Sequence, residues 1–144
     1  MKRFLLLLTV ICLSICGFVN AQIPQAKAFA SDSIVKTGNS FVMTVEINKC
    51  DLSCYAQFQM LLPEGLSATE ISGESDNANF YFENNKVFYQ WYKLPIERSN
   101  IRLKFNVAVS QGMKVGGYDI PGYFSYQVNN RLGQIETPVK IQIQ

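Results

Sequence analysis

Apolar and polar residues alternate with a period of two along most of the chain after residue 21, which is the pattern of half-buried β-strands. The clearest example is the segment 101–109, in which every second residue is apolar, and the same alternation runs through 41–48, 54–61 and 135–143. Shorter apolar segments bounded by turn residues lie at 66–71, 80–82, 87–92 and 118–128. No stretch beyond residue 21 shows the three-and-four spacing of an amphipathic helix. The pattern therefore predicts an all-β domain.

Turn residues between these segments set the strand count. They are Thr37-Gly38-Asn39, Pro63-Glu64-Gly65, Asn84-Asn85, Gly116-Gly117 and Asn129-Asn130. Asn84-Asn85 predicts a tight hairpin, because Asn tolerates the left-handed backbone that two-residue loops need. Pro138 has no backbone donor, which favours an edge or the beginning of a strand. About eight or nine short strands favour a single antiparallel β-sandwich, with residues 22–30 as a leader arm before the first strand.

The first 21 residues predict a secretory signal peptide. Lys2-Arg3 form a charged start, an apolar stretch follows, and Val19-Asn20-Ala21 ends it with the small-residue pattern of a cleavage site. We expect cleavage after Ala21, which leaves 22–144 as the mature domain, exported to the periplasm, the cell surface or the medium. Two alternatives stay open: lipidation of Cys16, because Leu13-Ser14-Ile15-Cys16 approximates a lipobox, and an uncleaved anchor.

Cleavage would also change the charge and the cysteine count. The chain has 13 basic and 11 acidic residues, and two of the basic ones, Lys2 and Arg3, leave with the signal peptide, so that eleven of each sign remain. A neutral domain offers no footprint for nucleic acid or for an anionic membrane surface. Cys12 and Cys16 also leave, and the remaining pair, Cys50 and Cys54, predicts a disulfide in an exported chain, with two free thiols as the alternative.

The residue types needed for most catalysis are missing. The chain contains no histidine, which excludes Ser-His-Asp and Cys-His nucleophiles and the usual near-neutral general base. The acidic residues are scattered, and no Gly-rich phosphate loop occurs, so we expect neither an enzyme nor a bound cofactor. A weak calcium hypothesis rests on the oxygen-rich loop that contains Glu74, Asp76, Asn77 and Asn79; ordinary turn material is the alternative.

Aromatic residues supply the remaining candidate site. Both faces of the segment 87–92 are largely aromatic, so at least one set of rings is expected on an outer face, where amphipathic rings favour binding. The candidate binding residues are Tyr81, Tyr89, Trp91 and Tyr92. The alternative is that these rings fill the core.

Four of these segments resemble cohesin-like and Ig-like β-sandwich modules of secreted bacterial proteins. They are Phe41–Ile47, Tyr55–Leu66 with its strand followed by a Leu-Pro-Glu-Gly-Leu corner, the strand 101–109, and the Gly117–Tyr126 hairpin. The resemblance implies a sandwich that binds other proteins or carbohydrate and assembles surface complexes, often with calcium nearby.

Three functions are consistent with these features. The leading hypothesis is a non-catalytic module of the cell envelope that binds a protein partner through a sheet face or edge. The second is a carbohydrate-binding module that stacks sugars on Trp91, Tyr89 and Tyr81, which requires those rings to be exposed. The third is a structural envelope subunit without a soluble ligand.

Overall fold

The computed structural model describes residues 22–144, which form twelve β-strands and no helix, and hence no helix that could span a membrane. The predicted signal peptide lies outside the described residues, so cleavage after Ala21 and lipidation of Cys16 stay predictions. The strands are Gln25–Ala30 (β1), Ile34–Val35 (β2), Ser40–Asn48 (β3), Ala56–Leu61 (β4), Leu66–Glu70 (β5), Asn79–Glu83 (β6), Lys86–Trp91 (β7), Asn100–Val109 (β8), Gly116–Ile120 (β9), Gly122–Val128 (β10), Arg131–Glu136 (β11) and Val139–Ile143 (β12).

The predicted all-β sandwich is confirmed. A four-stranded sheet in the order β1-β3-β8-β5 faces a five-stranded sheet in the order β11-β10-β4-β7-β6, and a three-stranded sheet, β2-β12-β9, completes one side. All pairings are antiparallel except the short contact between β2 and β12. The two large sheets touch through their interiors, since the Tyr89 ring of β7 lies 6.0 Å from the Phe105 ring of β8.

The period-two alternation predicts the core correctly. In β3 and β8 the apolar set of each strand is buried, while the intervening residues face outward. Across the five-stranded sheet, Trp91 lies opposite Ala56, Ala56 opposite Tyr126 and Tyr126 opposite Gly133. Large and small residues thus alternate along this inner row. At its end, a side-chain carbon on Gly133 would collide with the Tyr126 ring, so this position requires glycine. The row thereby fills the core without overlap.

Four of the five predicted turns lie between strands as expected, whereas Gly116-Gly117 was wrong as a turn because these residues begin β9. Asn84 and Asn85 have φ values of 50° and 61° between the paired residues Glu83 and Lys86, which is a two-residue hairpin of the left-handed kind. The Leu-Pro-Glu-Gly-Leu corner carries the chain from β4 in the five-stranded sheet to β5 in the four-stranded one. Gly65 supplies the required positive φ of 97°.

Three sequence predictions of organisation were wrong. The leader arm is the strand β1, which pairs with β3 along six residues; its inward residues are all alanine, a weak hydrophobic signal. The segments 118–128 and 135–143 are each split in two, at Pro121 and at Thr137-Pro138, and together with β1 and the short β2 this raises the strand count to twelve. The Gly117–Tyr126 segment is not a hairpin, because β9 pairs with β12 whereas β10 pairs with β11 and β4. Pro138 does lie directly before the beginning of β12, as predicted.

Candidate functional site

The outer face of the five-stranded sheet has a distinctive chemistry. Its outward residues in the central rows carry amides, hydroxyls and aromatic rings but no charge, and charged residues appear only at its border, as Glu83, Lys86 and Glu136. We call this surface the aromatic–amide face; it consists of Tyr55, Gln57, Gln59, Asn79, Tyr81, Phe88, Gln90, Tyr123, Ser125, Gln127 and Gln134.

Strand register arranges these residues in rows across the sheet. In one row Tyr81 lies opposite Phe88, Phe88 opposite Gln59, and Gln59 opposite Tyr123. Glu136 ends this row on the edge strand β11. The next row contains amides and a hydroxyl: Asn79, Gln90, Gln57, Ser125 and Gln134. Because side chains opposite one another on one face of a sheet are about 5 Å apart, each row is a continuous strip of contacting groups.

Hydrogen bonds hold the central residues in place. The Tyr81 hydroxyl donates to Oε1 of Gln90 at 3.0 Å, and Nε2 of Gln90 donates to the Tyr55 hydroxyl at 2.7 Å. The Tyr81 and Phe88 rings stack with their centroids 5.0 Å apart and their planes inclined by 24°. Gln90 therefore links β6 and β7 to the residue that directly precedes β4, on the outside of the sheet.

Exposed apolar side chains extend the face at one end. Tyr92, which directly follows β7, is 77% exposed, and Leu132, opposite Gln127 in the pairing of β10 with β11, is 72% exposed. Large apolar side chains gathered beside an uncharged face are typical of a binding surface.

The structure divides the four predicted binding residues into two pairs. Tyr81 and Tyr92 lie on the outside, as expected for binding. Tyr89 and Trp91 are wrong as binding residues, because β7 turns them into the core, where Trp91 is only 2% exposed. Their polar atoms are satisfied there: the Tyr89 hydroxyl donates to the carbonyl of Lys104 at 3.2 Å, and the Trp91 indole donates to the carbonyl of Asp76 at 3.0 Å.

Tyr55, Phe88 and Gln90 belong to the aromatic–amide face but were not predicted as site residues. A signal for two of them exists in the alternation of 86–91, since Phe88 and Gln90 fall on the face opposite to Tyr89 and Trp91. Only the pairing partner of β7 shows which of these faces is inside, and that partner is β4, whose inward residues are apolar.

Burial governs the ionisation of two of the tyrosines. Partial burial raises the pKa of Tyr81, and the nearby Tyr55, Tyr92 and Glu83 raise it further. Deeper burial raises the pKa of Tyr89 far above its usual value of 10. Both hydroxyls are therefore neutral donors at physiological pH.

The calcium candidates form a closing loop. β5 pairs only with the second half of β8, so the first half of β8 meets the loop 71–78 on that side. The Asp76 carboxylate accepts the backbone N–H of Arg102 at 3.1 Å and binds the Arg98 guanidinium at 2.9 Å. Both carboxylate oxygens are thereby occupied.

The other calcium candidates are also separated or paired. Glu74 lies 3.4 Å from the Lys104 ammonium, Asn77 forms the turn with a φ of 61°, and Asn79 begins β6 on the aromatic–amide face. Among residues 22–144 no group of three acidic or sulfur-bearing side chains is placed to hold a metal ion. These contacts support the alternative that the loop is structural.

No bridge joins Cys50 and Cys54 in the structure, so the predicted disulfide is not shown. Cys50 is buried in a left-handed turn with a φ of 53°, and Cys54 is half-buried. The turn is organised instead by Lys49, a buried lysine whose ammonium donates to the carbonyl of Leu52 at 2.8 Å and reaches that of Cys50 at 3.4 Å. A disulfide between Cys50 and Cys54 stays a prediction.

The outer face of the four-stranded sheet differs from the aromatic–amide face. There the Glu46 carboxylate bridges the Lys27 ammonium and the Arg102 guanidinium, each at 3.0 Å. The hydrogen bond from Lys27, together with both positive charges, lowers the pKa of Glu46. The four-stranded sheet thus has an ionic outer face, whereas the charged residues of the aromatic–amide face lie only at its border.

Comparisons with known proteins identify the fold. No protein-family model matches the sequence, and a search of the curated proteins finds no match. The structure is similar to the third cohesin of ScaC from Acetivibrio cellulolyticus, solved in complex with the ScaB dockerin (TM-score 0.58, 16% identity, 83% of this chain and 99% of that chain). It is also similar to a non-cellulosomal cohesin from Archaeoglobus fulgidus (TM-score 0.56, 11% identity, 83% and 91%).

A pilin provides a third similarity. The chain matches part of the T6 backbone pilin of Streptococcus pyogenes, a protein of modular three-domain structure (TM-score 0.58, 12% identity, 85% of this chain and 36% of that chain). At these identities the likeness shows the fold alone. The chain has a cohesin-like β-sandwich fold.

Proposed function

We propose that this chain is a non-catalytic binding module of an exported protein and that it binds a protein partner through the aromatic–amide face. The observation that carries the proposal is the absence of charge across the central rows of this face, combined with an ordered hydrogen-bond chain from Tyr81 through Gln90 to Tyr55. The buried centres of protein interfaces are depleted of charged residues and enriched in tyrosine and other aromatic residues.

The contrast with the other sheet supports the choice of face. On the four-stranded sheet, Glu46 and its two basic neighbours satisfy one another, and desolvating such a group on binding is costly. The uncharged groups of the aromatic–amide face lose less on desolvation, because amides and hydroxyls can exchange water for a partner's polar groups.

One structural neighbour supports protein binding, and the sequence supports export. One cohesin of the same fold was solved in complex with a dockerin. A sandwich of this fold can therefore bind another protein. Export rests on the signal-peptide pattern of residues 1–21. The lack of a catalytic role rests on the absence of histidine from the sequence.

Site-directed photo-crosslinking in the organism that produces the protein tests the proposal. A photoreactive phenylalanine analogue is placed at Gln57, in the middle of the aromatic–amide face, and at Asn106, which faces outward on the four-stranded sheet, each in the full chain. We expect the Gln57 probe to give one discrete protein adduct that unlabelled protein competes away, and the Asn106 probe to give none. Adducts at equal yield from both positions, or none from Gln57, would show that this face is not the binding surface.

A further inference from the structure

One end of the sandwich carries most of the strongly exposed apolar side chains. Among residues 22–144, five large apolar side chains are more than two-thirds exposed. Four of them belong to the end at which β3 and β7 finish and β8 begins: Ile23, Tyr92, Ile96 and Leu132. The fifth, Val115, lies in the loop after β8, at the opposite end. We call the first end the apolar pole.

Backbone contacts join the loops of the apolar pole into one surface. The N–H of Lys49, in the turn after β3, donates to the carbonyl of Ser99, in the loop before β8, at 2.8 Å. The N–H of Gln127, near the tip of the β10–β11 hairpin, donates to the carbonyl of Tyr55 at 3.2 Å. The exposed side chains therefore sit on neighbouring, mutually braced loops. A patch of this kind marks a contact with a protein or with a membrane.

The N-terminal segment meets the sandwich at the same pole. β1 begins at Gln25, which lies opposite Asn48 at the end of β3, and Asn48 lies opposite Asn100 at the start of β8. The chain that precedes β1 therefore leaves the domain beside Ile23 and the other exposed residues of the pole. Farther upstream, residues 4–13 contain a single polar side chain.

The short distance along the chain distinguishes a bilayer from a soluble partner. If Cys16 is lipidated, only eight residues separate the lipid from β1, and they reach at most about 28 Å when fully extended. In an uncleaved chain the apolar stretch continues to Val19, and five residues remain, with a reach of about 17 Å. A surface tethered this closely meets the bilayer at a high effective concentration.

Charges at the pole indicate a contact that depends on apolar burial. The exposed charged residues of its loops are of both signs: Asp51, Lys93, Glu97, Arg98 and Arg131. Arg98 is paired with Asp76, and the other four balance. Attraction to anionic lipid needs a cluster of basic residues, which the pole lacks. Burial of its aliphatic side chains is the favourable term that remains.

We infer that the apolar pole rests on the lipid bilayer that anchors the N-terminal segment, with Ile23, Ile96 and Leu132 buried at the lipid surface. The inference requires a chain that keeps an anchor, either as the uncleaved segment or as a lipidated Cys16. It goes beyond the proposed function and does not depend on it. Because the strands lead away from the pole, the aromatic–amide face stays open to a partner.

Photo-crosslinking in the organism that produces the protein tests the inference at two matched positions. A photoreactive phenylalanine analogue replaces Ile96 at the pole or Val115 at the opposite end, each in the full chain. The two side chains are equally exposed, at 69% and 70%. We expect the Ile96 probe to give at least fivefold more lipid adduct by mass spectrometry than the Val115 probe. The intact mass of the membrane-bound protein should show that residues before Gln22 are retained.

Three results would overturn the inference. They are equal yields of lipid adduct from the two positions, a protein adduct without lipid from Ile96, and a chain that begins at Gln22 and is recovered only from the soluble fraction. The Gln57 photoprobe judges the proposed function separately. A competed protein adduct at Gln57 without lipid adduct at Ile96 would leave the proposed function standing and the membrane contact wrong.

Discussion

Asp76→Ala is predicted to destabilise the protein by about 3 kcal/mol. The Asp76 side chain is only 7% exposed and accepts the backbone N–H of Arg102 at 3.1 Å. A hydrogen bond to a charged group contributes about 1.5–3 kcal/mol. The ion pair with Arg98 adds at most about 1 kcal/mol, because that guanidinium is half-exposed. Asp76 also has a φ of 49°, a conformation that Ala adopts less readily than Asp, at a cost of about 1 kcal/mol.

Urea unfolding followed by tryptophan fluorescence measures this loss, because Trp91 is the single tryptophan and its indole is bound to the Asp76 carbonyl. With a urea dependence of about 2 kcal/mol per molar, the midpoint should fall by about 1.5 M. Asp76→Asn keeps the backbone preference and one acceptor, so it should lose only about 1 kcal/mol. The control is Asp119→Ala, whose ion pair with Lys140 is exposed and should contribute less than about 0.5 kcal/mol.

Two results would refute the structural role of Asp76. One is a midpoint for Asp76→Ala equal to that of Asp119→Ala, which would mean that the loop does not close the edge of β8. The other is a rise in the wild-type midpoint with millimolar calcium that Asp76→Ala abolishes. That result would make the loop a cation site, as the weaker sequence hypothesis had it.

Three further predictions concern residues that face the interior of the sandwich. Burial raises the pKa of Tyr89, so its neutral hydroxyl contributes stability that is complete below about pH 10 and is lost as the pH rises above it. Tyr89→Phe should be less stable than wild type by about 1 kcal/mol at neutral pH, because it lacks the hydrogen bond of that hydroxyl. The difference between the urea midpoints of the two proteins should be smaller at about pH 11. Gly133→Ala should lower the free energy of unfolding by about 1–3 kcal/mol, because the added methyl group overpacks against Tyr126. In a double-mutant cycle, Tyr126→Leu should recover part of that loss. Additive losses from the two substitutions would contradict the contact. Lys49→Met should lower the free energy of unfolding by about 1–3 kcal/mol, because the Leu52 carbonyl loses its donor. The same substitution should speed the reaction of Cys50 with a disulfide reagent. An unchanged reaction rate would show that Lys49 does not hold the turn.

The fold was predictable because strand alternation is a local property. Ile101 to Val109 shows which residues turn inward whatever the strand pairs with, and Asn84-Asn85 fixes its own hairpin. The strand β1 escaped prediction because alanine on its inner face gives little contrast with Gln25 and Lys27.

The candidate site was predictable only in part, because it depends on pairing between distant strands. The sequence shows two aromatic faces in β7, and the pairing with β4, thirty residues earlier, decides that Tyr89 and Trp91 turn inward. Likewise, nothing local to Asp76 reveals that its carboxylate meets the backbone of Arg102, 26 residues away.

The inward aromatic residues of β7 position the face that they do not themselves form. Tyr89 is anchored to the backbone of the opposite sheet and Trp91 to the loop that closes the edge of β8, so β7 is fixed on its inner side at both residues. Phe88 and Gln90 alternate with Tyr89 and Trp91 along β7. Because the backbone of β7 is held in place by its inner residues, the outer ring and amide are also held in place. Groups held in this way before a partner arrives lose less conformational entropy on binding.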